Sequence, residues 1–115
     1  ALATPEVESR FAALGTSAGD FVVGLIDAFR RNYKDAQDFD NPPVHDPCAV
    51  AYVIDPSLVE TEPAPLSVEL AGTLTRGRTV ADFRASNAPC NTSVATRLDV
   101  DRFWDLVVDA VQRLG

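Results

Sequence analysis

The sequence predicts a mixed α/β chain with helices first, short strands next and a helix at the end. Three observations carry this prediction. Val22, Ile26, Phe29 and Tyr33 recur at three- and four-residue steps, the period of one helix face. Leu66, Val68 and Leu70 then alternate with Ser67 and Glu69, as in a half-buried strand. The helical period returns at Val100, Phe103, Val107, Val111 and Leu114, with Trp104 beside that row.

The elements follow in order. Thr4-Pro5-Glu6 opens a helix: Thr4 caps it, Pro5 suits the first helical position and Glu6 faces the positive end of the dipole. Gly15 stops it. A second helix is expected over Ser17 to Lys34, with Arg30, Arg31 and Lys34 crowding its last turn. Asp35 to Val44 reads as a polar loop closed by prolines. Asp46-Pro47 repeats the cap-plus-proline pattern and launches Cys48 to Ile54, a short apolar helix that is expected to be buried. Strands are expected near Thr79 to Arg84 and over Thr92 to Leu98, with a turn at Ser86 to Asn91 between them. Asp99 or Asp101 caps the final helix.

The bulk composition excludes several functions. The 115 residues amount to one domain, 46% hydrophobic and 23% charged, as in ordinary globular proteins. A net charge of -7 argues against nucleic acid, whose phosphates need clustered Lys and Arg. No apolar run approaches the roughly 20 residues that span a bilayer, and the start lacks the pattern of a signal peptide. Cys48 and Cys90 are too few for a disulfide framework. Two reduced thiols in a cytoplasmic chain are the simplest expectation, with a single bridge left open.

One stretch offers chemistry. His45, the only histidine, precedes Asp46 where the proline loop meets the apolar helix. Histidine side chains titrate near neutrality and move protons at working pH. A carboxylate suits a hard cation such as Ca²⁺ or Mg²⁺, but calcium takes roughly six to eight oxygen ligands and one aspartate does not make a site. Asp38, Asp40, Asp99 and Asp101 read as loop and cap residues. On loop chemistry alone, Asp46 is a helix cap and His45 a surface residue. On the sharper reading, the pair is part of a site completed from elsewhere.

"PPVHDPCAVAYVIDPSL" resembles the C-terminal signature of the inosine-uridine preferring nucleoside hydrolase family. The likeness continues through "ALATPEV", "ELAGTLTRGRTVADFR" and "LDVDRFWDLVVDAV". It implies the C-terminal portion, residues 1–115, of a larger mixed-sheet domain whose N-terminal portion is the missing partner. It also implies hydrolysis of the N-glycosidic bond of purine or pyrimidine ribonucleosides to ribose and free base, in nucleoside salvage. By the same resemblance Asp46 completes a Ca²⁺ shell, His45 lies near the departing base as its proton donor, and Tyr33 packs against the base.

The aspartate-rich motif of the DxDxxxDD kind, which family members carry at the N-terminus, does not occur in these residues. Neither does the asparagine and glutamate region that family members use for ribose. This chain alone is therefore expected to bind Ca²⁺ weakly and to be inactive. The complete enzyme is expected to be a homo-oligomer, with no membrane or nucleic-acid partner. The alternative is a non-catalytic module of the same ancestry that serves in binding or oligomer contacts.

Overall fold

Helix α1, Pro5–Ala12, starts where the Thr4 hydroxyl accepts the Val7 N–H, and it ends before Gly15 at φ 60°, a left-handed conformation that glycine adopts without strain. In this computed structural model the described residues are 1–38, 40–84 and 88–115. Phe39 of the expected loop, and Ser86 and Asn87 of the expected turn, lie outside them.

The chain divides into two units, Ala1–Leu58 with Asp99–Gly115, and Val59–Leu98. In the first, α2 spans Ser17–Gln37. It runs past the expected end at Lys34, because Asp38 takes a left-handed C-cap and its N–H reaches the Lys34 carbonyl. Helix α3 is Asp46–Ile54, a short 3-10 turn follows at Pro56–Leu58, and α4 is Val100–Gln112. Asp99 caps α4 by accepting the Arg102 N–H.

Phe11 and Phe103 are fully buried, with Trp104 against both: edge-on centroid distances are 6.2 Å to Phe11 and 4.9 Å to Phe103. Val7, Ile26, Ala51, Leu58 and Val108 are also buried. Each large side chain removed from water in this way contributes about 1.5–3 kcal/mol. The face of α4 that packs inward centres on Phe103, Trp104 and Val108, while Val100 and Leu114 of the expected row are exposed. On α2 only Ile26 of the expected stripe is fully buried; Val22 and Tyr33 are half-buried and Phe29 is exposed.

The second unit holds two antiparallel ladders. Strand β1, Val59–Ala64, pairs with β4, Thr92–Leu98, from Val59↔Leu98 to Ala64↔Thr92, with an irregularity between Glu60 and Thr61. Strand β2, Leu66–Val68, pairs with β3, Thr79–Ala81. Both are shorter than the alternation predicts, and Leu70 falls outside β2 in the open. Among the described residues no helix is long and apolar enough to cross a membrane.

Candidate functional site

The His45–Asp46 step leaves a clamped backbone. Ala3 N–H bonds to the Pro42 carbonyl at 3.0 Å, and Val44 N–H bonds to the Ala1 carbonyl at 2.7 Å. Residues 1–3 thus pair with residues 42–44, through an antiparallel bridge at Leu2 and Pro43. Just beyond, the Cys48 thiol donates to the Val44 carbonyl at 3.3 Å, and the Cys48 N–H reaches the His45 carbonyl at 2.9 Å. The cysteine therefore fastens the turn that presents the pair.

Sequence and structure differ by one residue over the cap. His45 occupies the N-cap position without a side-chain cap bond, and Asp46 is the first helical residue. The short bond from Cys48 to His45 tightens the first turn and moves the cap upstream. Asp46 is therefore not spent on capping. Its carboxylate sits in the first turn, where the helix dipole favours negative charge. Both His45 and Asp46 are exposed, and neither side chain has a hydrogen bond or ion pair among the described residues.

The far end of α3 is tied down as well. Asp55 accepts the Ser57 hydroxyl at 2.7 Å, the Ser57 N–H at 3.0 Å and the Arg102 guanidinium at 2.8 Å. These bonds, the Ser57 hydroxyl foremost, hold the Asp55 carboxyl below its ordinary value. The middle of the helix departs from expectation. Only Ala51 is buried, while Val50, Val53 and Ile54 face outward, Val53 at 81% exposure. Among the described residues the apolar helix lacks the neighbours that its composition demands.

Tyr33 is half-buried on α2, its ring edge-on to Phe29 at 4.8 Å. No hydrogen bond or ring contact joins it to His45 among the described residues. The neighbours of the two residues do meet: an open groove of about 290 Å³ is lined by Leu25, Ile26, Phe29, Asn32, Ala3 and Val44. Among the described residues no three His, Cys, Asp or Glu side chains gather as a metal site. A carboxylate such as that of Asp46 is one hard oxygen donor, short of the roughly six to eight that Ca²⁺ takes. Cys48 and Cys90 are free thiols. The pairing of residues 1–3 with 42–44 was not legible in the sequence, since three-residue segments carry no periodicity. The Asp55-Pro56-Ser57 turn did leave a signal in its residue types.

Comparison with known proteins identifies relatives of the whole chain. The chain is 47% identical over 116 residues to the inosine-uridine preferring nucleoside hydrolase of Leishmania major, and 46% identical to that of Crithidia fasciculata. Each match takes in 100% of this chain and 37% of the relative, so the chain spans well under half the length of these relatives. A solved purine-preferring ribonucleoside hydrolase from Gardnerella vaginalis superposes with a TM-score of 0.77 at 31% identity, over 99% of this chain and 37% of that one. The family model of the inosine-uridine preferring nucleoside hydrolases matches residues 1–105, and the chain belongs to that family.

Proposed function

We propose that this chain supplies one corner of a ribonucleoside hydrolase active site, as the C-terminal portion of a domain completed by an N-terminal portion. The reaction is cleavage of the N-glycosidic bond of a purine or pyrimidine ribonucleoside to ribose and free base, a salvage reaction placed in the cytoplasm. The observation that carries this reading is the exposed, unpartnered His45–Asp46 step on a doubly anchored helix in a chain of this family.

The division of labour follows from the side chains. Asp46 holds a carboxylate oxygen ready for Ca²⁺ at a fixed helix start. When bound, Ca²⁺ supplies a Lewis acid for the sugar hydroxyls and for the water that attacks the sugar. His45 donates a proton to the departing base nitrogen as the carbon–nitrogen bond breaks, so the base leaves neutral; water forms the new carbon–oxygen bond and releases a proton to solvent, and His45 regains one from solvent. Tyr33 offers an aromatic surface for the base, and its packing on Phe29 limits the ring's freedom. The assembled enzyme is placed as a homo-oligomer.

The test is to co-express this chain with the part of the Leishmania major relative that lies outside the matched residues, then assay inosine and uridine hydrolysis with and without Ca²⁺. Hydrolysis that requires both His45 and Ca²⁺ supports the reading. An assembled but inactive complex overturns it. The alternative, a non-catalytic module, requires a polar surface where a partner would otherwise dock; the exposed Val50, Val53 and Ile54 speak against it.

A further inference from the structure

Arg30 sits on α2 with most of its side chain out of water. Its Nη1 donates to the Glu8 carboxylate of α1 at 2.5 Å. The two side chains are 24% and 23% exposed, which makes this the most shielded ion pair among the described residues. The Nη2 donates in another direction, to the Ala3 carbonyl at 3.3 Å. The Nε is buried without an acceptor among the described residues, so the bonds to Glu8 and Ala3 are what orient the guanidinium.

Ala3 matters for what it holds in turn. It is 1% exposed, and its N–H donates to the carbonyl of the fully buried Pro42. The Val44 N–H returns a bond to the Ala1 carbonyl, so residues 1–3 and 42–44 form one short ladder. Val44 precedes His45 directly, and its carbonyl accepts the Cys48 thiol of α3. So short a two-stranded ladder has little stability of its own, and whatever grips its outer segment decides how firmly the turn is fixed. A staple between α1 and α2 needs only the Glu8 pair. The bond to Ala3 ties in a third segment, a task for the fixed fork of a guanidinium.

We propose that Arg30 is a positioning residue for the His45–Asp46 step. With Glu8 as its counter-charge, it grips residues 1–3, and through their ladder with residues 42–44 it steadies the turn that aims His45 at the departing base. Its part is mechanical: it acts through Ala3 and Pro42, not on the substrate. The inference rests on the proposed function for the task that His45 performs, whereas the clamp itself is tested in this chain alone.

Arg30→Met keeps much of the side chain's length and removes both bonds. In this chain, amide hydrogen exchange at Ala3 and Val44 is expected to quicken at least about tenfold, while that of Phe103, bonded to Asp99 in the first turn of α4, changes by less than about twofold. Arg10→Met breaks a more exposed pair, Arg10 with Asp105 between α1 and α4, and leaves Ala3 and Val44 unchanged. If Arg30→Met does not fold, Arg30→Lys keeps the charge without the fork and takes its place. Unchanged exchange at Ala3 and Val44, or an equal gain at Phe103, overturns the inference.

Kinetics of the co-expressed pair separate positioning from mere stability. Arg30→Met is expected to lower kcat for inosine about tenfold more than kcat for p-nitrophenyl riboside, because a displaced His45 fails where the leaving group needs a proton. A weakened fold lowers both alike. Equal losses in Arg30→Met, where His45→Ala does split the two substrates, overturn the inference. Equal losses in His45→Ala, or an inactive pair, sink the proposed activity and leave the clamp to be decided by exchange.

Discussion

Arg102 donates to the Asp55 carboxylate at 2.8 Å and to the Ser57 hydroxyl at 3.0 Å, which joins the end of α3 to the first turn of α4. The contact links two elements far apart in sequence. It leaves α3 anchored at one end by Asp55 and at the other by the Cys48 thiol. A short helix held at both ends keeps the direction of its first turn, where Asp46 lies.

This knot gives a pH dependence with a definite sign. The Asp55 carboxyl lies below its ordinary 3.8, chiefly through the Ser57 hydroxyl, then the Ser57 N–H, with the Arg102 charge adding to them. A depressed folded-state value means that stability is present above pH 3.8 and is lost as pH falls through the folded value. Asp55→Asn therefore melts below the wild type at neutral pH, by no more than a few degrees for so exposed a group. The gap closes on acidification. Thermal melts of both chains from neutral to acidic pH check this, and a gap that widens in acid refutes it.

Gly19 marks a close approach between helices. A Cβ there lies 2.6 Å from the Phe11 carbonyl oxygen, and backbone cannot swing aside as a flexible side chain does. Gly19→Ala must push α1 and α2 apart at the edge of the Phe11–Trp104 cluster. The expected cost is about 1–3 kcal/mol, the range for overpacking a filled core. Gly24, with nothing within 4 Å of its Cβ position, is the control: Gly24→Ala is expected to be neutral or stabilising. Denaturant unfolding followed through Trp104 emission compares the two.

Parts of this architecture were legible from residue types alone. Thr4-Pro5-Glu6 marked the start of α1, and the run from Thr92 to Leu98 coincides with β4. Strand β1 was hidden, because Val59-Glu60-Thr61-Glu62-Pro63-Ala64 carries no apolar alternation and includes a proline. A strand with an open edge tolerates both. The inward face of α4 keeps Phe103 of the expected row and Trp104 beside it but adds Val108 and leaves Val100 and Leu114 exposed, because periodicity gives a repeat and not its phase; contact with Phe11 sets that phase through Trp104. The apolar character of α3 was plain in the sequence, but the neighbours that decide its burial were not. His45 and Asp46 stood out as the one proton carrier beside a carboxylate. What they act on came only through resemblance.

For the assembled hydrolase, His45→Ala is expected to lower turnover of inosine by about 10²–10⁴-fold, the usual range for a lost general acid. A substrate whose leaving group needs no proton, such as p-nitrophenyl riboside, is expected to lose far less. The ratio of the two losses is the measurement. Equal losses remove His45 from the role of leaving-group acid, whatever else the side chain does.

Asp46 allows the proposed metal role to be tested apart from stability. Its carboxylate makes no hydrogen bond or ion pair among the described residues, so Asp46→Ala leaves the fold's internal contacts intact and removes only a favourable charge at the helix start. That charge is worth about 0.3–1 kcal/mol. In the assembled enzyme the same change is expected to lower Ca²⁺ content by elemental analysis, and added Ca²⁺ is expected to restore part of the activity. Isolated, this chain offers one carboxylate toward the roughly six to eight oxygens that calcium requires, so calorimetry is expected to find no tight binding. Unchanged calcium in the assembled variant, or a submicromolar site in the isolated chain, would place the metal away from Asp46.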